Sequence, residues 1–101
     1  MHDSDAALVG RAREGDREAF EQLVRRHLSG ALAVALAILA DPAEAQDIAQ
    51  DAFVTALERL DELSRGDAFK GWLLRIVRNR ALDRKRSETR FPKLDVALVD
   101  P

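Results

Sequence analysis

From Asp16 to Leu39 one apolar pattern runs without a break. Phe20, Leu23, Val24, His27, Leu28, Ala31, Leu32, Ala35, Leu36 and Leu39 recur at three-and-four spacing. A strand cannot use such a stripe, because its side chains change face at every residue. The pattern therefore predicts one long helix, capped by Asp16, whose apolar side must be covered by other helices. Its last part, Ala31 to Ala40, is apolar throughout but too short to span a bilayer, and reads as a central buried segment. Gly30 lies inside the pattern at a cost of about 1 kcal/mol relative to Ala, which suggests a close helix crossing.

The flanking sequence supplies the covering helices. A first helix is expected from Asp5 to Glu14, with Gly15 free to end it in a left-handed turn. Asp41-Pro42-Ala43-Glu44 is a restart signal, with an N-cap, a first-turn proline and a capping-box glutamate. The third helix then buries Ala45, Ile48, Ala49, Ala52, Phe53, Ala56, Leu57 and Leu60. Ser64-Arg65-Gly66-Asp67 breaks it, with Asp67 able to cap a fourth helix from Ala68 to Glu88, which Pro92 stops. The 101 residues include no Tyr and five aromatics in all, so strand formers are scarce. The expected fold is all-α: a single compact bundle of about four helices over residues 1–90. Residues 91–101 read as the start of a linker.

Charge is segregated along this order. Residues 65–90 hold nine Lys/Arg against three acids, whereas residues 1–64 hold six bases and thirteen acids. On the fourth helix Phe69, Leu73, Ile76 and Val77 share one arc. Arg75, Arg78, Lys85 and Arg86 lie opposite, with Asn79 and Trp72 at the boundary. This suits a nucleic-acid face, with bases for phosphates, Asn79 for a base edge and Trp72 for stacking. A solvated charged face beside a core Trp is the alternative. The third helix shows the reverse charge. Asp47, Gln50 and Asp51 at i, i+3 and i+4 share a face that suits a basic partner, or only solvent.

Enzymatic chemistry finds little support. With no Cys, thiol catalysis, disulfides and thiolate metal sites are excluded together, which fits a reducing cytoplasm. His2 is terminal and His27 lies on an apolar stripe. No His-carboxylate cluster suggests a metal, and no phosphate loop or nucleophile elbow appears. Neither a cofactor nor a catalytic residue is expected. The N-terminus, MHDSDAAL, carries no targeting pattern, and the expected location is cytoplasmic.

Three segments in order resemble a known family. They are Leu8-Val9-x-Arg11-Ala12-x-x-Gly15-Asp16-x-x-Ala19-Phe20-x-x-Leu23-Val24, then Asp41-x-x-x-Ala45-x-Asp47-Ile48-x-Gln50-Asp51-x-Phe53. The third is Phe69-x-x-Trp72-Leu73-x-Arg75-Ile76-x-Arg78-Asn79-x-Ala81-Leu82-Asp83. Together they resemble region 2 of the extracytoplasmic-function (ECF) sigma factors of bacterial RNA polymerase. His27 and Leu74 stand where that family usually has aromatics.

The resemblance implies a transcription initiation factor that is not an enzyme. Asp47, Gln50 and Asp51 would contact the clamp helices of the core polymerase β′ subunit. The segment Ser64, Arg65 and Lys70, with Trp72, Arg75, Arg78, Asn79, Lys85 and Arg86, would engage the non-template strand of the promoter −10 element. There it would capture a flipped base and so melt the DNA. An anti-sigma factor is a further implied partner. The family's second domain, a helix-turn-helix, is not expected within this chain. A sigma-like module that sequesters an anti-sigma factor without touching DNA is the alternative reading.

Overall fold

The structure, a computed structural model, describes residues 3–90. Four α-helices appear in the expected order: α1 (Asp5–Arg13), α2 (Arg17–Leu39), α3 (Pro42–Glu58) and α4 (Phe69–Arg90). Two short 3-10 turns, Leu60–Glu62 and Gly66–Ala68, join α3 to α4. The linker and the stop at Pro92 fall outside the described residues.

The helix starts follow from side-chain capping. Ser4 accepts from the Ala7 N–H at 3.1 Å, Asp16 from Ala19 at 3.2 Å, and Asp41 from Ala43 at 2.9 Å and Glu44 at 3.3 Å. Each replaces a partner that the first helical turn lacks. Asp16 also accepts two bonds from the Arg11 guanidinium, at 2.9 and 3.0 Å. That guanidinium, ahead of the Ala19 N–H, holds the Asp16 carboxyl below the usual carboxylate range. Gly15 turns the chain with φ of 97°, as its position predicted. Ala40 makes the matching turn after α2 with φ of 56°, a conformation that nothing in its residue type announces.

The centre of the bundle is apolar. Leu8, Val9, Leu23, Phe69, Leu73 and Val77 are its largest fully buried side chains, so every α-helix except α3 contributes a large residue. Each such residue adds about 1.5–3 kcal/mol of burial. α3 contributes mainly small ones. Ala45, Ala49, Ala52 and Ala56 form its buried face, between Ile48 and Phe53.

Several details depart from the sequence reading. Asp67 does not cap α4; it accepts from Arg65 at 2.7 and 3.1 Å, inside the second 3-10 turn. Glu44 lies 3.8 Å from Arg84 of α4 rather than closing a capping box. Gly30 does not mark an unusually close crossing, since a Cβ there would meet Leu74 Cδ2 at an ordinary 3.9 Å. The apolar stretch from Ala31 to Ala40 is buried on one side only, with Leu36 exposed. Leu28 and Leu57, read as core, are also exposed. Amphipathic spacing identifies an apolar arc, but in a small bundle the neighbours cover only part of a wide one.

Candidate nucleic-acid interface and docking face

α4 sorts its residues by depth at every turn. Phe69, Leu73, Val77 and Ala81 are completely buried at intervals of four, anchoring the helix along its length. Lys70, Arg75, Arg78, Asn79, Lys85 and Arg86 are exposed. Not all of the basic run is unpaired, however. Arg80 donates to the Thr55 hydroxyl of α3, and Arg84 reaches Glu44 of the same helix. These two cations secure α4 to α3, so the charge surplus of the sequence overstates what the outer face can offer.

Among the outward residues the partners differ. Lys70, Arg75 and Arg78 have no hydrogen bond or ion pair within the described residues. Arg75 and Arg78 lie three apart on one side of α4. Arg86 pairs with Asp83 at 3.3 Å, an exposed contact of small energetic weight. In the preceding turn Ser64 is exposed, and Arg65 is held by both oxygens of Asp67. That carboxylate raises the Arg65 pKa further above its ordinary value, so the side chain stays cationic.

Trp72 is half-buried. Its ring lies 6.0 Å from Phe69 at 58°, and Phe69 meets His27 at 5.4 Å and Phe20 edge-on at 6.5 Å. Trp72 thus packs on an aromatic cluster while keeping part of its surface in solvent. Asn79 follows Trp72 by seven residues, which places it two turns along on the same edge of α4. The imidazole of His27 occupies the packing position of an aromatic in this cluster.

A second surface lies on α2 and α3. A groove of about 520 Å³ is walled by Val24, Leu28 and Leu32 of α2 and by Phe53, Val54 and Leu57 of α3. Asp47 and Gln50 stand on its rim. Asp51 is exposed on the same helix but does not line the groove. No residue of α4 lines it either, so the acidic docking candidates and the basic helix belong to different surfaces.

Leu28, Val54 and Leu57 are between 41 and 53% exposed, which is unusual for such large apolar side chains. Sequence reasoning missed this apolar floor. One signal was available: Val54 falls outside the buried pattern of α3, yet lies one turn from Leu57. Among the described residues no group of three or more metal-ligating side chains comes together.

Comparisons with known proteins identify the family and the fold. The family model described as Sigma-70 region 2 matches residues 23–91. The RNA polymerase sigma factor NccH of Alcaligenes xylosoxydans xylosoxydans is 38% identical over 82 residues, covering 81% of this chain and 44% of that protein. The ECF RNA polymerase sigma factor SigM of Mycobacterium tuberculosis is 36% identical over 98 residues, covering 97% of this chain and 50% of that protein. The chain therefore spans about half the length of these curated relatives. In structure it superimposes on an engineered region 2 of sigmaE, solved by NMR in complex with GTAAAA. The TM-score is 0.81 and the identity 29%, over 93% of this chain and 100% of that one.

Proposed function

Because the chain belongs to the Sigma-70 region 2 family and is of the ECF type, we propose that it engages core RNA polymerase through α3 and the promoter −10 element through α4. The observation that carries this reading is the separation of the two surfaces. Asp47 and Gln50 rim an apolar groove between α2 and α3, while Arg75, Arg78 and Asn79 face outward from α4. One chain can then hold a protein partner and a nucleic acid together.

The groove suits the β′ clamp helices as partner. A helix presenting apolar side chains would cover Leu28, Val54 and Leu57, and basic residues beside them would meet Asp47, Gln50 and Asp51. On the DNA side, Arg75, Arg78, Lys85 and Arg86 would neutralise phosphates and fix the path of the strand without reading it. Asn79 can both donate to and accept from a base edge. Ser64, Arg65 and Lys70 would wall the pocket for an extruded base, with Trp72 beneath. Unstacking costs a few kcal/mol, which stacking and edge bonds in the pocket must return. Strand capture alone would open the duplex, so no hydrolysis and no catalytic residue are needed. Support for a single-stranded target comes from the sigmaE region 2 structure, which carries GTAAAA.

The test is titration of a labelled β′ clamp-helix fragment with this chain, with Asp47→Arg as control. We expect binding that the control loses while its helical circular dichroism is unchanged, since Asp47 is exposed. Failure of a folded chain to bind the fragment would overturn the polymerase role. It would leave capture of an anti-sigma factor on the same groove as the better account.

A further inference from the structure

The turn between α3 and α4 is held at both ends by one helix, α1. At its start, the guanidinium of Arg13 from α1 spans two backbone carbonyls. It donates to Leu60 O through Nε at 3.3 Å and through Nη2 at 3.1 Å, and Nη2 also donates to Leu63 O. A chain leaving a helical turn has carbonyls without intrahelical partners, and a cation there is favoured by the local dipole as well. At its other end, Gly66 rests on the first turn of the same helix. A Cβ on Gly66 would fall 2.9 Å from Ala6 Cα and 3.3 Å from Ala6 O, backbone that cannot step aside. The two residues Ser64 and Arg65 are suspended between these supports.

α1 itself is well fixed. Leu8 and Val9 are completely buried, and Asp5 is bound by Arg26 and His27 of α2, each at 2.9 Å. It therefore offers a rigid rail, with Ala6 and Arg13 two turns apart on one helix. Nothing else tethers this turn by a side-chain bond from another element, among the bonds of the described residues. Arg13 is exposed and Gly66 partly buried, and neither lies on α4.

We propose that α1 is a brace that sets the shape of the Ser64–Lys70 wall, with Arg13 and Gly66 as positioning residues. They govern which base is accepted without touching the nucleic acid. This inference rests on the reading of that wall as part of the −10 site. Its physical basis is that a pocket discriminates bases only if its hydrogen-bonding groups are held in place, and a short irregular turn cannot hold itself.

The test uses the full chain, Arg13→Ala and Arg13→Lys, with labelled single-stranded hexanucleotides. The set comprises GTAAAA and variants of it changed at one position at a time. Amide hydrogen exchange is followed in parallel. For Arg13→Ala we expect the ratio of strongest to weakest hexamer affinity to fall about tenfold, as one multiply bonded charged group is lost. Binding of the weakest hexamer and of the β′ fragment should stay as in the parent. Exchange should rise at residues 60–68 and not in α2. Arg13→Lys, whose single ammonium cannot fork to both carbonyls in the same way, should fall between the two.

Unchanged discrimination in a variant whose turn exchanges faster would overturn the proposal, as would unchanged exchange at the turn. If Arg13→Ala does not fold, Arg13→Lys decides by the same two readings. If the parent chain binds no hexamer, the DNA role has failed, and exchange at 60–68 still tests the brace by itself.

Discussion

The imidazole of His27 lies 2.9 Å from the carboxylate of Asp5, joining the start of α1 to the middle of α2 beneath the bundle surface. His27 is only 8% exposed, so its ring has exchanged water for Asp5 on one side and for Phe69 on the other. Removing one partner of such a contact costs more than removing both, because a buried polar group is left unsatisfied. We expect Asp5→Ala to lose about 1–3 kcal/mol in urea unfolding. Asp5→Ala combined with His27→Phe should recover most of that loss, since Phe keeps the contact with Phe69 and needs no acceptor. Additive losses in the double variant would show that the pair is not coupled.

How much of this was legible beforehand depended on the kind of signal. The helices were, because Asp16, Asp41 and Gly15 act through bonds or dihedrals within a few residues of themselves. The basic outer face of α4 was legible in outline for the same reason: facing follows from spacing. The inward use of Arg80 and Arg84 was not, since it depends on Thr55 and Glu44 lying on a helix packed alongside. Nor was the brace at Arg13, which joins residues nearly fifty positions apart. The exposed leucines were misread for a physical reason. An apolar stripe that stays exposed obeys the same periodicity as one that enters the core.

That contrast gives a direct comparison between Leu57 and Leu73. Leu73 is completely buried, and Leu73→Ala should cost about 2–5 kcal/mol through lost contacts and the cavity left behind. Leu57 is 51% exposed on the groove, and Leu57→Ser should stay within about 1 kcal/mol of the parent. In β′ fragment binding the order should reverse among folded proteins, with Leu57→Ser weakening the complex. Thermal unfolding and fragment titration of the pair decide this, and a large stability loss at Leu57 would place it in the core after all.

A pH effect follows from the contact between α3 and the end of α4. The Glu88 carboxyl, then burial, then the charges of Glu88 and Asp41, push the Glu44 carboxyl above its ordinary value of 4.5, against the pull of Arg84. The folded chain therefore holds this proton more tightly than the unfolded chain. The associated stability is fully present in acid below 4.5 and is lost as pH rises through the raised folded value. Glu88→Gln removes the main cause, so its midpoint of thermal unfolding should exceed that of the parent at neutral pH. The difference should close below about pH 4.5, where the carboxyl is protonated in both states. A variant less stable than the parent at neutral pH would contradict this.

Arg78 and Asn79 are neighbours in sequence, both exposed, and should fail in different ways. A guanidinium on a phosphate contributes to every sequence alike and releases counterions. Arg78→Ala should therefore weaken all single-stranded hexamers uniformly and reduce the slope of log affinity against log salt by about 0.7. An amide at a base edge contributes little charge but separates matched from mismatched bases by about 1–3 kcal/mol. Asn79→Ala should accordingly compress the range of hexamer affinities while leaving the salt slope as it was. Both readings come from one titration series at several salt concentrations. If Asn79→Ala lowers every hexamer by the same factor, Asn79 orients the strand rather than reading it. Base choice would then rest on the Ser64–Lys70 wall.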